Sequence, residues 1–159
     1  MKLYFVRHTT PTDGAVSDAQ RPLTSQGEEE ARLVGTALAG MGVRPARILS
    51  SPLLRARQTA AILGEQLEFG GATRTLDELL NGASTSSLVR ALKLTSDEII
   101  LVGHMPSLAD HIAELVGGNS ADYGMGKGSV ACIEASELKA GRGQLAWLKH
   151  LPQLRATVS

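Results

Sequence analysis

The chain is short of cysteine, of excess charge and of long apolar runs, and each shortage removes a class of protein. Cys132 is the single cysteine in 159 residues, so an intrachain disulfide is impossible and a reducing compartment suits the chain. Lysine plus arginine (16) equals aspartate plus glutamate (16), giving zero formal net charge. No global field draws such a molecule to nucleic acid or an anionic membrane, so any affinity for anions must be local. Four apolar residues separate Lys2 from Arg7, too few for a secretory signal. No stretch approaches the roughly 18 apolar residues of a membrane span. The expectation is a cytoplasmic protein with neither nucleic acid nor membrane among its partners. Internal repeats, low-complexity tracts and linkers are also missing, so residues 1–159 read as one domain, with 151–159 as a surface tail. Metal patterns are absent too. His104 and His111 stand seven apart, without H-x-x-x-H or a carboxylate-rich cluster, and His111 reads as a helix-surface residue. Glycine-rich 117–128 lacks the G-K-[ST] order of a P-loop, and no cofactor is expected.

What is present is an alternation of strands and helices within a 43% apolar chain. Leu3 to Val6 is a short apolar run without helical period, a buried strand near the middle of a parallel sheet. Thr24 or Ser25 caps a first helix. Ser25 and Glu28 have capping-box spacing, and Ala31, Val34, Ala37, Leu38 and Met41 form its apolar face. Ala46 to Ser50 reads as a strand, and Pro52 sits near the first position of a second helix. Ala72 to Leu76 reads as a short strand and Ser84 to Lys93 as a short helix. Glu98 to Val102 is the clearest strand, followed by a helix to about Val116. Ser129 to Ala135 and Gln144 to His150 read as a strand pair, with Trp147 in the core. This order predicts an α/β fold. It is a single three-layer α/β/α domain with a mainly parallel central sheet and an antiparallel edge.

The chemistry-bearing residues follow strands or open helices. Arg7-His8 ends the first strand, and His104 follows Ile99 to Gly103. Ligands of open α/β sheets bind outside the carboxyl ends of the strands. Arg55 lies in the first turns of the second helix, where free backbone N–H groups also favour anions. Arg21 precedes the first helix, while Arg57 faces solvent. Guanidinium groups bind phosphate or carboxylate in planar, bidentate fashion. A neutral imidazole among them can attack phosphorus, and a second histidine can stabilise the transferring oxygens. A carboxyl group must then protonate the leaving oxygen.

These residues resemble the histidine phosphatase (phosphoglycerate-mutase-like) superfamily. The carriers are VRH at 6–8, RPLT at 21–24, SSPLLRARQTA at 51–61 and VGHMP at 102–106. The short chain and the RPLT element are most similar to SixA-type phosphohistidine phosphatases. The resemblance implies that His8 is the phosphorylated nucleophile and that Arg7, Arg55 and His104 complete the phosphate core. Arg21 would be an accessory contact. Thr9 stands where the family usually has glycine and offers a hydroxyl to the phosphate. Glu78 is the positional match for the acid, with Asp18 and Asp13 as rivals. About thirty residues separate the second helix from Glu98, little material for a lid. That suits an open site for phosphohistidine on a protein. The alternatives are a small phosphate ester, such as a sugar phosphate or α-ribazole phosphate, or a phospho-binding module without catalysis. A mutase would need a more enclosed site.

Overall fold

A computed structural model describes residues 1–14, 16–93 and 97–158. Strands β1 (Lys2–Arg7), β2 (Arg47–Ser50), β3 (Arg74–Thr75), β4 (Glu98–Gly103), β5 (Val130–Glu134) and β6 (Gln144–Lys149) form one sheet in the order β3-β2-β4-β1-β5-β6. The first four strands in that order run parallel, and β5 and β6 add the antiparallel edge. Helices α1 (Ser25–Gly40), α2 (Leu54–Gln66), α3 (Thr85–Leu92), α4 (Ser107–Val116) and α5 (Leu151–Ala156) cover both faces.

The period of two in a strand sorts the apolar runs into these layers. In β1, Tyr4 and Val6 face α1, α2 and α5, while Leu3 and Phe5 face α3 and α4. Ile100 and Val102 of β4 join the first set, and Ile99 and Leu101 the second. All these side chains are essentially fully buried. A strand buried on both faces has no polar residue to alternate with, which is why these segments read as continuous hydrophobic runs.

Five local expectations need correction. Residues 151–158 are not a tail on the surface. Leu151–Ala156 is helical, and Leu154 is fully buried in the core beside Val34 and Ala37 of α1. (Residue 159 lies outside the described residues.) The α1 cap is Thr24, whose hydroxyl accepts the Gly27 N–H at 2.9 Å, so the Ser25–Glu28 box does not form. Pro52 precedes the N-cap of α2, Leu53, rather than opening the helix. His111 is buried, its Nδ1 2.7 Å from the Thr85 hydroxyl and its ring stacked near Phe5. Its helical face is the one α4 turns to the sheet, so position on the helix outweighed polarity. Trp147 is only half-buried, tilted against Tyr4 at the sheet edge. Among the described residues no helix is long and apolar enough to cross a membrane.

Candidate active site

Strand register assembles the site. Parallel β1 and β4 pair Arg7 with Gly103, so His8 and His104 leave the sheet side by side. Their ring centroids lie 5.1 Å apart, inclined at 50°. β2 pairs Ser50 with Val102 on the other side of β4, which brings Ser51 and the start of α2 to the same edge. Arg55 then projects from the first turn of α2, a helix whose N-terminus has no side-chain cap. A cavity of about 250 Å³ is lined by Arg7, His8, Arg21, Arg55 and His104, together with Asp13, Asn81 and Lys127. Residues drawn from five separate stretches of sequence thus face one space.

The hydrogen-bond pattern defines what the rings offer. His8 Nδ1 lies 2.7 Å from the Thr9 carbonyl oxygen. A carbonyl only accepts, so Nδ1 carries the proton and the neutral ring keeps its lone pair on Nε2. His104 Nε2 lies 2.6 Å from the Ser51 hydroxyl. Arg7 is held by a bond from Nη1 to the Met125 carbonyl at 2.9 Å. Its backbone is fastened to the loop before β5 through Arg7 N–H to Ser129 O and Gly128 N–H to Arg7 O, each 3.1 Å. Four buried side-chain nitrogens, Arg7 Nε, Arg55 Nε, His104 Nδ1 and, away from the cavity, His111 Nε2, have no partner among the described residues. Buried polar groups are ordinarily bonded, and each orphan costs on the order of 1–3 kcal/mol. The first three belong to side chains that line the cavity.

Both rings are kept neutral. Burial pushes His8 down to about 4, helped by the neighbouring Arg55, Arg7 and Lys127 and opposed by the Thr9 bond. Burial likewise takes His104 down to about 3, with His8 and Arg55 adding to the effect. Burial withholds the solvation an imidazolium needs, and the neighbouring cations repel it, so both effects favour the neutral ring.

The candidate carboxyls separate by geometry. Asp18 is tied into the basic residues. Arg21 Nε donates to Oδ1 at 3.0 Å, Arg55 Nη2 to Oδ2 at 3.3 Å, and Arg55 Nη1 to the Asp18 backbone oxygen at 3.0 Å. Arg55 foremost holds this carboxyl below the usual range, so Asp18 stays ionised and orients the two guanidinium groups. Asp13 lines the cavity. Glu78 sits half-buried in a 3-10 turn, Asp77–Leu79, and is not among the lining residues.

Thr9 needs a correction as a phosphate contact. It is fully buried, its hydroxyl donates to the Gly27 carbonyl at 2.7 Å, and its N–H bonds the Thr59 hydroxyl at 3.2 Å. The side chain turns inward between α1 and α2, away from the cavity. Sequence reading missed Lys127, Asn81 and Ser51. Asn81 was visible only as a turn signal, yet its amide spans the cavity wall, donating to Met105 O at 2.9 Å and accepting from Ser107 N at 3.2 Å. Lys127 lay in a glycine-rich loop whose place beside β1 depends on β5 pairing. No group of three or more metal-ligating side chains occurs among the described residues.

Known proteins are similar to this chain in sequence and in fold. The profile of the histidine phosphatase superfamily (branch 1) matches residues 3–84. The phosphohistidine phosphatase SixA of Escherichia coli K12 is 29% identical over 151 residues, covering 92% of each chain. A solved structure of the protein histidine phosphatase SixA complexed with tungstate superposes with a TM-score of 0.88 at 28% identity. It covers 97% of this chain and 99% of that one. The α-ribazole phosphatase of Shigella flexneri superposes at 0.76 over 95% and 97% of the two chains, but at 20% identity that likeness is of fold alone.

Proposed function

The chain belongs to the histidine phosphatase superfamily, and from that premise we propose that it is a phosphatase working through a phosphohistidine on His8. Arg7, Arg55 and His104 hold the phosphoryl oxygens, with Arg21 as an accessory cation. His8 Nε2 attacks phosphorus in line. An N–P bond forms as the bond from phosphorus to the leaving group breaks, and a carboxyl group gives the leaving atom its proton. Asp13 is the carboxyl best placed for this, because it lines the cavity while Asp18 is committed to two arginines. Water then attacks the phosphohistidine, phosphate departs, and the proton returns to the carboxylate. The single observation behind this reading is the ring of orphaned donors on Arg7, Arg55 and His104 around a histidine whose Nε2 is free to attack. The family's alternative acid, Glu78, remains part of the test.

The test is p-nitrophenyl phosphate turnover in EDTA. Wild type turns over, and His8→Ala loses at least about 1000-fold, as nucleophile loss does. Activity lost to the chelator, or retained by His8→Ala, would refute the covalent reading. No turnover by either protein would point to a phospho-binding module. Comparing Asp13→Asn with Glu78→Gln on a poor leaving group identifies the acid.

We further propose phosphohistidine on a protein as the substrate. The small cavity, the short segment between α2 and β4, and the likeness to SixA support it. A small phosphate ester is the rival. Equal or better kcat/KM on sugar phosphates or α-ribazole phosphate than on a phosphorylated histidine-containing transfer domain would reverse the choice.

A further inference from the structure

We propose that Ser51 is a positioning residue that holds His104 in its Nδ1–H tautomer, so that this N–H donates to the bound phosphoryl oxygen. The proposal rests on the phosphate-binding reading of the site and names how one of its donors is set. Ser51 is fully buried at the end of β2. Its hydroxyl has two neighbours: the Leu53 N–H at 3.3 Å and His104 Nε2 at 2.6 Å. The Leu53 N–H can only donate. Among the described residues, the Ser51 proton therefore has one acceptor, the lone pair of His104 Nε2. A neutral imidazole with an accepting Nε2 carries its proton on Nδ1, and His104 Nδ1 is buried without a partner among the described residues. The opposite tautomer would bury a hydroxyl proton with no acceptor and turn a lone pair toward an anion.

The arrangement explains why two histidines 5.1 Å apart can do different work. His8 donates Nδ1–H to Thr9 and presents a lone pair. His104 accepts at Nε2 and presents an N–H. One ring attacks phosphorus and the other steadies its oxygens, each by virtue of what its far nitrogen is bonded to.

The test reads the tautomer directly. In ring-15N-histidine-labelled protein at pH 7, long-range proton–nitrogen correlations show His104 with a protonated Nδ1 and a pyridine-like Nε2. In Ser51→Ala this preference is lost, and inorganic phosphate binds about 10- to 100-fold more weakly, the worth of one hydrogen bond to a charged group. Ser51→Thr, which keeps the hydroxyl, restores both signals. A protonated Nε2 in wild type overturns the proposal, and needs no variant to fold. A Ser51→Ala protein that keeps the Nδ1–H signal, or that binds phosphate within twofold of wild type, overturns it as well. Failure of the wild type to bind phosphate at all would instead strike the functional reading, since the resonance assignment stands without it.

Discussion

At the scale of the residue, the site engages some nitrogens of each side chain in bonds within the protein and leaves another without a partner among the described residues. Asp18 takes one edge of Arg55 and leaves Nε. Thr9 takes Nδ1 of His8 and leaves Nε2. Lys127 differs, because it is exposed at the cavity rim and no carboxylate lies within ion-pair distance among the described residues. It occupies the second position of a turn closed by Ser129 N–H to Gly126 O at 3.0 Å, and Gly128 follows at φ +77°, a conformation that glycine adopts without strain. A cation held there adds attraction at long range without displacing the core ligands. Lys127→Met is expected to raise KM for p-nitrophenyl phosphate about 3- to 10-fold with kcat changed less than twofold, and the difference should shrink in 0.5 M salt as ~4 Å screening sets in. A fall in kcat with unchanged KM would contradict that role. None of this was legible beforehand. A lysine between glycines carries no signal until strand pairing shows what lies beside it.

At the scale of the element, α1 grips the first residues after β1. Thr24 N–H and its hydroxyl both donate to Thr10 O, and Glu30 accepts from the Thr10 N–H and hydroxyl at 3.1 and 2.7 Å. Glu28, Glu29 and Glu30 follow one another near the start of α1. One of them, Glu30, is a buried bracket for the segment that follows β1. The grip leaves no space at Gly27, where an added Cβ would collide with the Thr10 carbonyl oxygen. Ala is ordinarily worth about 1 kcal/mol over glycine inside a helix. Here Gly27→Ala should instead lower the urea midpoint and reduce turnover together, since relief means moving Thr10 and with it His8. A stabilised variant of full activity would show that the contact is loose. At the other end of the chain, Leu154→Ala should cost about 2–5 kcal/mol in urea unfolding, the range for a buried leucine. A cost below about 0.5 kcal/mol would return α5 to the surface. The helix was overlooked because six residues with a single buried leucine show no periodicity.

At the scale of the whole molecule, the buried imidazoles make stability depend on pH. His8 falls from an ordinary 6.5 to about 4 and His104 to about 3, and burial lowers His111 as well. Above pH 6.5 neither folded nor unfolded chain binds these protons, and the shifts have no effect. As pH drops through 6.5, the unfolded chain takes up protons that the folded one refuses, so stability falls, levelling off below about pH 3. At about 1.4 kcal/mol per pKa unit, each of the two site histidines accounts for a loss of a few kcal/mol. Urea midpoints should therefore decline steadily from pH 7 to pH 4, and the slope should flatten in His104→Gln. A flat profile in wild type would mean that these rings titrate normally. The sequence alone determined the alternation of strands and helices that makes the α/β fold, and it singled out four basic residues, Arg7, His8, Arg55 and His104, that the structure brings to one cavity. These are carried by local periodicity and by strand-end positions, which neighbouring residues encode. Only the tertiary structure decided that Thr9 turns inward, that Asp18 is bound to arginines while Asp13 faces the cavity, and which nitrogen each histidine presents. Those outcomes depend on partners dozens of residues away, brought into hydrogen-bond range by strand register, and no stretch of the chain taken by itself specifies them.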